Sequence, residues 1–243
     1  MKAPLIKIKI HSIYGLKDKP ADLPERMARC TPDTKKAIVN IKATLKKMGS
    51  DLILTDMFRS YDMQYQSHKD FSSGKKKAFS PPPGGSMHEG GRAFDLDLSK
   101  IKITLKEFWE IAAKESVHPI IGKPLSSKSE AWHFDCQGSH KIVYDYYASG
   151  KGLNMKPYAA MAASAILSIG VKVDQFAGKE REAFIQSALI RLGQNIGNID
   201  GEVGPKTRSA MAALWVNASN WDVAVMFAES LLKKQFPQEY EIS

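Results

Sequence analysis

Ser86-Met87-His88-Glu89-Gly90-Gly91-Arg92-Ala93-Phe94-Asp95 is the stretch around which the rest of the chain is read. Its end opens an alternating run, Arg92 to Leu98, which places Phe94, Leu96 and Leu98 on one face of a strand and Ala93, Asp95 and Asp97 on the other. Gly90-Gly91 permits the turn by which His88 points to the same place as Asp95. A second alternating run, Ala131 to Asp135, sets Trp132 and Phe134 on one side and His133 on the other, with Glu130 three residues ahead of that histidine. Imidazole and carboxylate are suitable zinc ligands, and three protein ligands with one open position make a catalytic rather than a structural site. Glu130 is placed to reach water at such a metal without taking a ligand position, which is what a general base requires. Singly, each histidine reads more readily as a hydrogen-bonded structural residue than as a ligand. The set, at fixed offsets, points to a metal.

Working outward, Thr34 to Met48 carries Ile38, Ile41, Leu45 and Met48 at helical spacing with lysines opposite, and Gly49 stops the helix. Asp51 to Met57 reads as a strand, as does the N-terminal Ile6-Lys7-Ile8-Lys9-Ile10. Phe71 to Gly85 is a loop, because Gly, Ser and three prolines continue neither helix nor central strand; its Lys75-Lys76-Lys77 reads as a solvated turn. Thr104 to Glu115 is a helix with Thr104 as N-cap and Leu105, Phe108, Ile111 and Ala112 as its apolar stripe. After Ser149-Gly150-Lys151-Gly152 the chain turns to Ala-rich helical patterns at 158–169, 184–193, 206–215 and 221–236, the third opened by Pro205 at a favoured first position. The expectation is an α+β fold. A catalytic domain over residues 1–150, with a small antiparallel sheet and flanking helices, precedes a small all-α domain over residues 155–243.

The 243 residues carry 35 Lys plus Arg against 26 Asp plus Glu, a formal net charge of +9, with 43% hydrophobic and 25% charged residues. Those proportions describe a folded globular chain, and no window approaches 18 apolar residues without a charge, which argues against membrane insertion. Residues 1–152 hold 26 basic and 17 acidic residues, whereas 153–243 hold nine of each, so the whole excess sits on the first domain. Its lysines are scattered rather than ranged along one helix or interleaved with exposed aromatics, so no nucleic-acid partner is expected. Cys30 and Cys136 are too few for a disulfide scaffold and read as buried small apolar residues.

The run SMHEGGRAFD resembles the SxHxxGxAxD signature of the zinc D,D-peptidases and L-alanyl-D-glutamate endopeptidases, the LAS or M15 metallopeptidase group. Glu130-Ala131-Trp132-His133 resembles that group's ExWH element, and Phe58-Arg59-Ser60-Tyr61-Asp62-Met63-Gln64 its upstream aromatic-Arg-Ser-Tyr-x-x-Gln segment, all in family order over about residues 30–150. The resemblance implies one zinc ion per chain held by His88, Asp95 and His133, with Glu130 as general acid and base. It also implies that Arg59 stabilises charge developing on the substrate carbonyl and that Ser86 contacts substrate. Asp97 is a candidate for orienting a ligand, or an ordinary surface carboxylate. His11, His68, His118 and His140 match no family position.

Residues 180–216 resemble the small helical peptidoglycan-binding domain, through Leu192-Gly193, then Ile199-Asp200-Gly201 with Gly204 and Thr207, then a helix. Leu214-Trp215 stands where an aromatic-Gln ending is usual, which leaves glycan binding open beside a packing or dimerisation role. Together the two resemblances imply a zinc peptidase hydrolysing peptidoglycan stem peptides, as a D-alanyl-D-alanine carboxypeptidase or an L-alanyl-D-glutamate endopeptidase. A tethered wall-binding module would raise its effective concentration on an insoluble substrate. Lys7 and Lys9 interrupt the apolar stretch that a Sec signal would need, which favours release to the cell wall by another route, as for a phage endolysin. The alternative is a non-catalytic zinc-containing cell-wall-binding protein, against which the presence of Glu130 speaks. Oligomeric state is not legible.

Overall fold

A computed structural model describes residues 2–15, 21–176, 178–216 and 220–242. The fold is α+β, as expected. Four two-residue strands, β1 (Ile6–Lys7), β2 (His11–Ser12), β3 (Ala21–Asp22) and β4 (Arg29–Cys30), lead into helix α1 (Pro32–Lys47). Then come β5 (Leu54–Asp56), α2 (Tyr61–Ser72), β6 (Ala93–Leu96), α3 (Leu105–Lys114), β7 (Val117–Pro119) and β8 (His133–Cys136). The remainder is helical: α4 (Lys141–Ala148), α5 (Pro157–Ser168), α6 (Glu180–Arg191), α7 (Pro205–Ala213) and α8 (Trp221–Gln235). Strands β1 and β4 form an antiparallel pair, and the other six make one sheet in the order β3-β2-β5-β6-β8-β7. The sheet is mixed rather than wholly antiparallel, since β2 and β5 run parallel.

The expected helices form for the expected reasons. Ile38, Ile41 and Leu45 of α1 are fully buried, but Met48 lies past the last turn and is exposed, and Pro32 starts the helix earlier than the apolar spacing alone predicts. Thr104 and Glu107 form a reciprocal capping box at the start of α3, whose Phe108, Ile111 and Ala112 are buried. The core beneath the sheet joins α1 and α3 to Phe94 and Leu96 of β6 and Phe134 and Cys136 of β8. Both cysteines are buried and free, and burial pushes their thiols up, Cys136 to about 12, so neither is a ready nucleophile.

A second apolar core belongs to the helices, and it takes in Val143, Tyr146 and Tyr147 of α4, ahead of the Ser149–Gly152 break. The Tyr146 hydroxyl accepts from the Gly197 N–H and the Tyr147 hydroxyl from the Ile199 N–H, each at 2.7 Å, so α4 holds the turn that carries Asp200-Gly201. Gln186 of α6 grips the same turn, its Oε1 accepting from the Asp200 and Gly201 N–H groups. Met87, Ala93, Met161, Ala162 and Ala165 make a small apolar cluster between the two cores. Here the two glycines of the motif are required: a Cβ on Gly90 would meet Ala165 Cβ at 2.8 Å, and one on Gly91, at φ +66°, would meet Leu5 at 2.4 Å.

A buried ionic cluster also ties the motif to the chain's last turn. Arg92 donates to Asp33 at 2.8 Å and to the Cys136 carbonyl at 3.0 Å, and lies 3.3 Å from Glu239. Glu239 also accepts from Arg191 and from the Ser139 N–H, and Arg92, Arg191 and Glu239 are all essentially inaccessible. Burial would raise the Glu239 carboxyl, but Arg191 and Arg92 outweigh it and hold it below the ordinary carboxylate range. Removing one partner of such a cluster leaves a buried charge uncompensated. Glu239→Ala is therefore expected to lower unfolding free energy by about 3–5 kcal/mol, measured by urea denaturation; a loss under ~1 kcal/mol would show that solvent reaches the cluster.

Candidate metal centre

The ladder between β6 and β8 places Asp95 directly opposite His133. Phe94 and Phe134 stack at 6.0 Å on the core side, so the alternate residues Asp95, His133 and Asp135 share the other face. His88 reaches the same point from the turn before β6. One ligand atom from each of His88, Asp95 and His133 lies within 4.8 Å of the others, and all three residues are buried. The structure thus brings together the three residues expected to hold a metal.

The ring orientations show which nitrogens are free. His88 Nδ1 donates to the Met57 carbonyl, an acceptor only, so its Nε2 presents a lone pair. His133 Nε2 lies 2.9 Å from Asp135 Oδ1, so the neutral ring that a metal requires keeps its proton there and presents its lone pair at Nδ1. These two nitrogens are 3.2 Å apart, with Asp95 Oδ1 2.9 Å from one and 3.3 Å from the other. With both rings neutral, these three atoms direct lone pairs at one buried place, where they would repel one another unless a cation, a proton or a metal ion, lay among them. Burial alone would push the His133 imidazole down, yet Asp135 and Asp95 raise it to about 10, and His88 and His133 hold Asp95 well below its usual value despite burial. The donor set of two imidazoles and a carboxylate, with both rings oriented by hydrogen bonds from behind, fits a zinc-type ion.

Around this triad lies a cavity of about 970 Å³ whose wall includes Arg59, Ser86 and Glu130. Glu130 adopts φ +65°, the left-handed region that a glutamate seldom occupies, and its carbonyl accepts from the His133 N–H at 3.1 Å. That strained turn delivers its carboxyl to the cavity, where Oε1 is buried with no hydrogen-bond partner and burial raises the pKa. Arg59 donates to Asp56 Oδ2 at 2.6 Å and to Gln64 Oε1 at 3.2 Å, and comes within 3.5 Å of Asp95 Oδ2. Asp56 faces Asp95 across the β5–β6 ladder, so Arg59 separates two carboxylates that would otherwise repel. Ser86 is buried on the cavity wall, its Oγ accepting from the His88 N–H at 3.4 Å. Glu89 secures this loop by accepting from the Gly84 N–H at 3.0 Å and the Ser86 N–H at 3.3 Å; burial pushes its carboxyl up to about 7.

Asp97 does not orient a ligand. It lies beyond the end of β6 and its Oδ1 accepts from the N–H and hydroxyl of Ser99, capping a short turn. The orienting carboxylate is Asp135, fully buried behind His133. The sequence does carry a signal for it, because in an alternating strand the residue two beyond His133 points the same way. Asp56, and Tyr158 of α5 with its hydroxyl 3.5 Å from Asp135 Oδ1, carry no such signal, since tertiary packing alone brings them in. The other histidines lie outside the triad; His11 pairs with Asp51, His68 with the Ser80 carbonyl and His140 with Ser164.

No protein-family model matches the sequence, and no curated protein matches it. Among solved structures, the fold is similar to that of the LdcB LD-carboxypeptidase, a structure described as revealing the molecular basis of peptidoglycan recognition. That match has 19% identity and a TM-score of 0.42, and it covers 54% of this chain and 66% of that one. The L,D-carboxypeptidase DacB from Streptococcus pneumonia is similar at 22% identity and a TM-score of 0.36, over 61% of this chain and 92% of that one.

Zinc binding at these atoms must displace the proton that Asp135 and Asp95 otherwise hold on His133. Affinity should therefore fall by up to tenfold per pH unit as pH drops below about 10, and Asp135→Asn should weaken it about 10–100-fold. Competition titration against a chelating dye checks both, and equal affinity in the variant would remove Asp135 from the site.

Proposed function

We propose that this chain is a zinc-dependent peptidase that hydrolyses peptidoglycan stem peptides, with His88, Asp95 and His133 holding the metal. The observation that carries the reading is Glu130 Oε1, a carboxylate oxygen buried without a hydrogen-bond partner on a side chain that lines the cavity around the triad. An orphaned buried carboxylate oxygen costs about 1–3 kcal/mol and the left-handed backbone beneath it about 1–3 kcal/mol more, an arrangement that chemistry explains and packing does not. The choice of peptidoglycan rests on the three motif resemblances and on a basic first domain suited to an anionic wall.

Zinc, when bound there, supplies a Lewis acid that polarises a carbonyl oxygen and acidifies water. Glu130 accepts the proton from the water that attacks the peptide carbonyl carbon, and its raised pKa suits it to take that proton and hold it until the amine departs. It returns the proton to the amide nitrogen as the C–N bond breaks, so the products are an amine and a carboxylic acid, which then loses the water's second proton to solvent and becomes a carboxylate. Arg59, held by Asp56 and Gln64, offers fixed positive charge to the carbonyl oxygen as that oxygen becomes negative. Ser86 is positioned on the cavity wall to hydrogen-bond the peptide.

The division into a catalytic part, 1–150, and a helical part, 155–243, belongs to the same proposal, with the helical part serving the wall and one side of the pocket. Tyr158 and Gln175 line the cavity from that part, and α5 packs under Gly90, so its removal would open the site. Action is on the wall, after release or non-Sec export.

Glu130→Gln preserves size and removes the base. It is expected to keep one zinc per chain while kcat on purified wall peptides falls about 10²–10⁴-fold. Full activity in a zinc-loaded variant would rule out Glu130 as the base and end the peptidase mechanism.

A further inference from the structure

A second pocket, of about 330 Å³, opens beside the cavity of the triad and is lined by Thr55, Leu96, Asp97, Leu98, Ser99 and Trp132. Thr55 and Trp132 line the large cavity as well, so the two spaces adjoin. The sheet places both residues there. Leu54 pairs with Leu96 and Asp56 with Asp95, which leaves Thr55 as an extra residue in a bulge, its carbonyl accepting from the Tyr14 hydroxyl at 3.1 Å. Trp132 precedes β8 and, unlike Phe134, takes no part in the core beneath the sheet; its carbonyl accepts from the Leu96 N–H at 2.9 Å. Asp97 comes next, its N–H donating to the Ile53 carbonyl at 2.9 Å. Two steps of extended chain separate it from Asp95, about 7 Å along the strand direction.

The two spaces differ in charge. Arg59, Lys76 and Lys156 all line the large cavity. Lys75 and Lys77 are exposed as the sequence predicts, but Lys76 turns inward and its ammonium donates to Ser67 Oγ at 2.9 Å. In the second pocket Asp97 is the one charged residue among the described residues of its wall. Asp97 Oδ1 accepts from the Ser99 N–H at 3.0 Å and the Ser99 hydroxyl at 2.6 Å, which fixes the carboxylate while Oδ2 stays available. Among the described residues, no Lys, Arg or His nitrogen comes within 4.0 Å of that carboxylate. A half-buried carboxylate without a cation, beside two leucines and a tryptophan, matches an ammonium on an apolar stem. Methylenes bury against the leucines and the indole, and the charged end meets Asp97.

We propose that this pocket receives the primary ammonium of an amine-bearing side chain on the peptide whose scissile bond lies at the triad. The proposal rests on the peptidase reading and deepens it, by naming a side chain that the preferred substrate carries.

The test is calorimetric titration of the zinc-loaded full chain carrying Glu130→Gln, which blocks turnover, with three acetylated tetrapeptides. The first is L-Ala-γ-D-Glu-L-Lys-D-Ala. The second replaces its lysine by norleucine, which keeps the four-carbon stem without the ammonium, and the third by Nε-acetyl-lysine, which keeps the length without the charge. The lysine peptide should bind at least about threefold more tightly than either other, and about 0.5 M NaCl should shrink the difference. Adding Asp97→Asn, whose amide oxygen can still cap Ser99, should bring the three peptides within about 1.5-fold of one another, at unchanged zinc content and melting temperature. Equal binding of the three, no binding of any, or a preference that survives Asp97→Asn overturns the proposal. An Asp97-dependent preference in a protein that releases nothing from wall peptides would keep the pocket and remove the peptidase reading, and release without the preference would do the reverse.

Discussion

Asp95 faces His133 because β6 and β8 pair in one register, and that register is held from the far side of the sheet. Phe94 stacks on Phe134, and Phe108 of α3 meets Phe134 edge-on at 4.8 Å. A slip of one residue would turn Phe94 and Phe134 toward the cavity, at about 1.5–3 kcal/mol of lost burial each, and drive Asp95, His133 and Asp135 into an apolar core. The aromatic core thus fixes a candidate metal site on the opposite face of the sheet. Each further feature hangs on this ladder: Asp135 stands behind His133, Asp56 faces Asp95 from β5, and Arg59 bridges the two aspartates.

The motif that supplies these ligands is also a joint. Arg92 lies between the two halves of the ligand set in sequence and between the two cores in space, where Glu239 from the last turn meets it. Gly90 admits α5 at a distance where no side chain fits. The helical part is therefore more than an appendage. It closes one side of the pocket and compensates a buried charge in the motif, so stability and site geometry are coupled through the same residues.

Much of this is legible from residue spacing. Alternation in 92–98 and 131–135 assigns Phe94 and Phe134 to the core and Asp95 and His133 to the opposite face, because a strand has only two sides. Helical spacing places Ile38, Ile41 and Leu45, and Thr104 announces its cap. The same rule of alternation picks out Asp135 and Asp97 alike, but β6 ends before Asp97, so only Asp135 keeps its place on the metal face. Lys76 is not legible: a Lys triplet in a Gly, Ser and Pro loop has no periodicity, and its direction is decided by Ser67 and Asp70 on the preceding helix. Helix α4 gives no strong signal either, since much of its apolar contact comes from two tyrosines whose hydroxyls serve a turn about 50 residues later.

Everything rests on the claim that His88 and His133 turn their free nitrogens toward one metal ion beside Asp95. X-ray absorption at the zinc edge, on full-length protein loaded with one equivalent of zinc, tests this most directly. Two imidazole nitrogens at about 2.0–2.1 Å with oxygen completing the shell are predicted, and His133→Ala should reduce the imidazole count to one. Sulfur in the shell, from Cys30 or Cys136, or a wild-type spectrum without imidazole scattering, would contradict the claim.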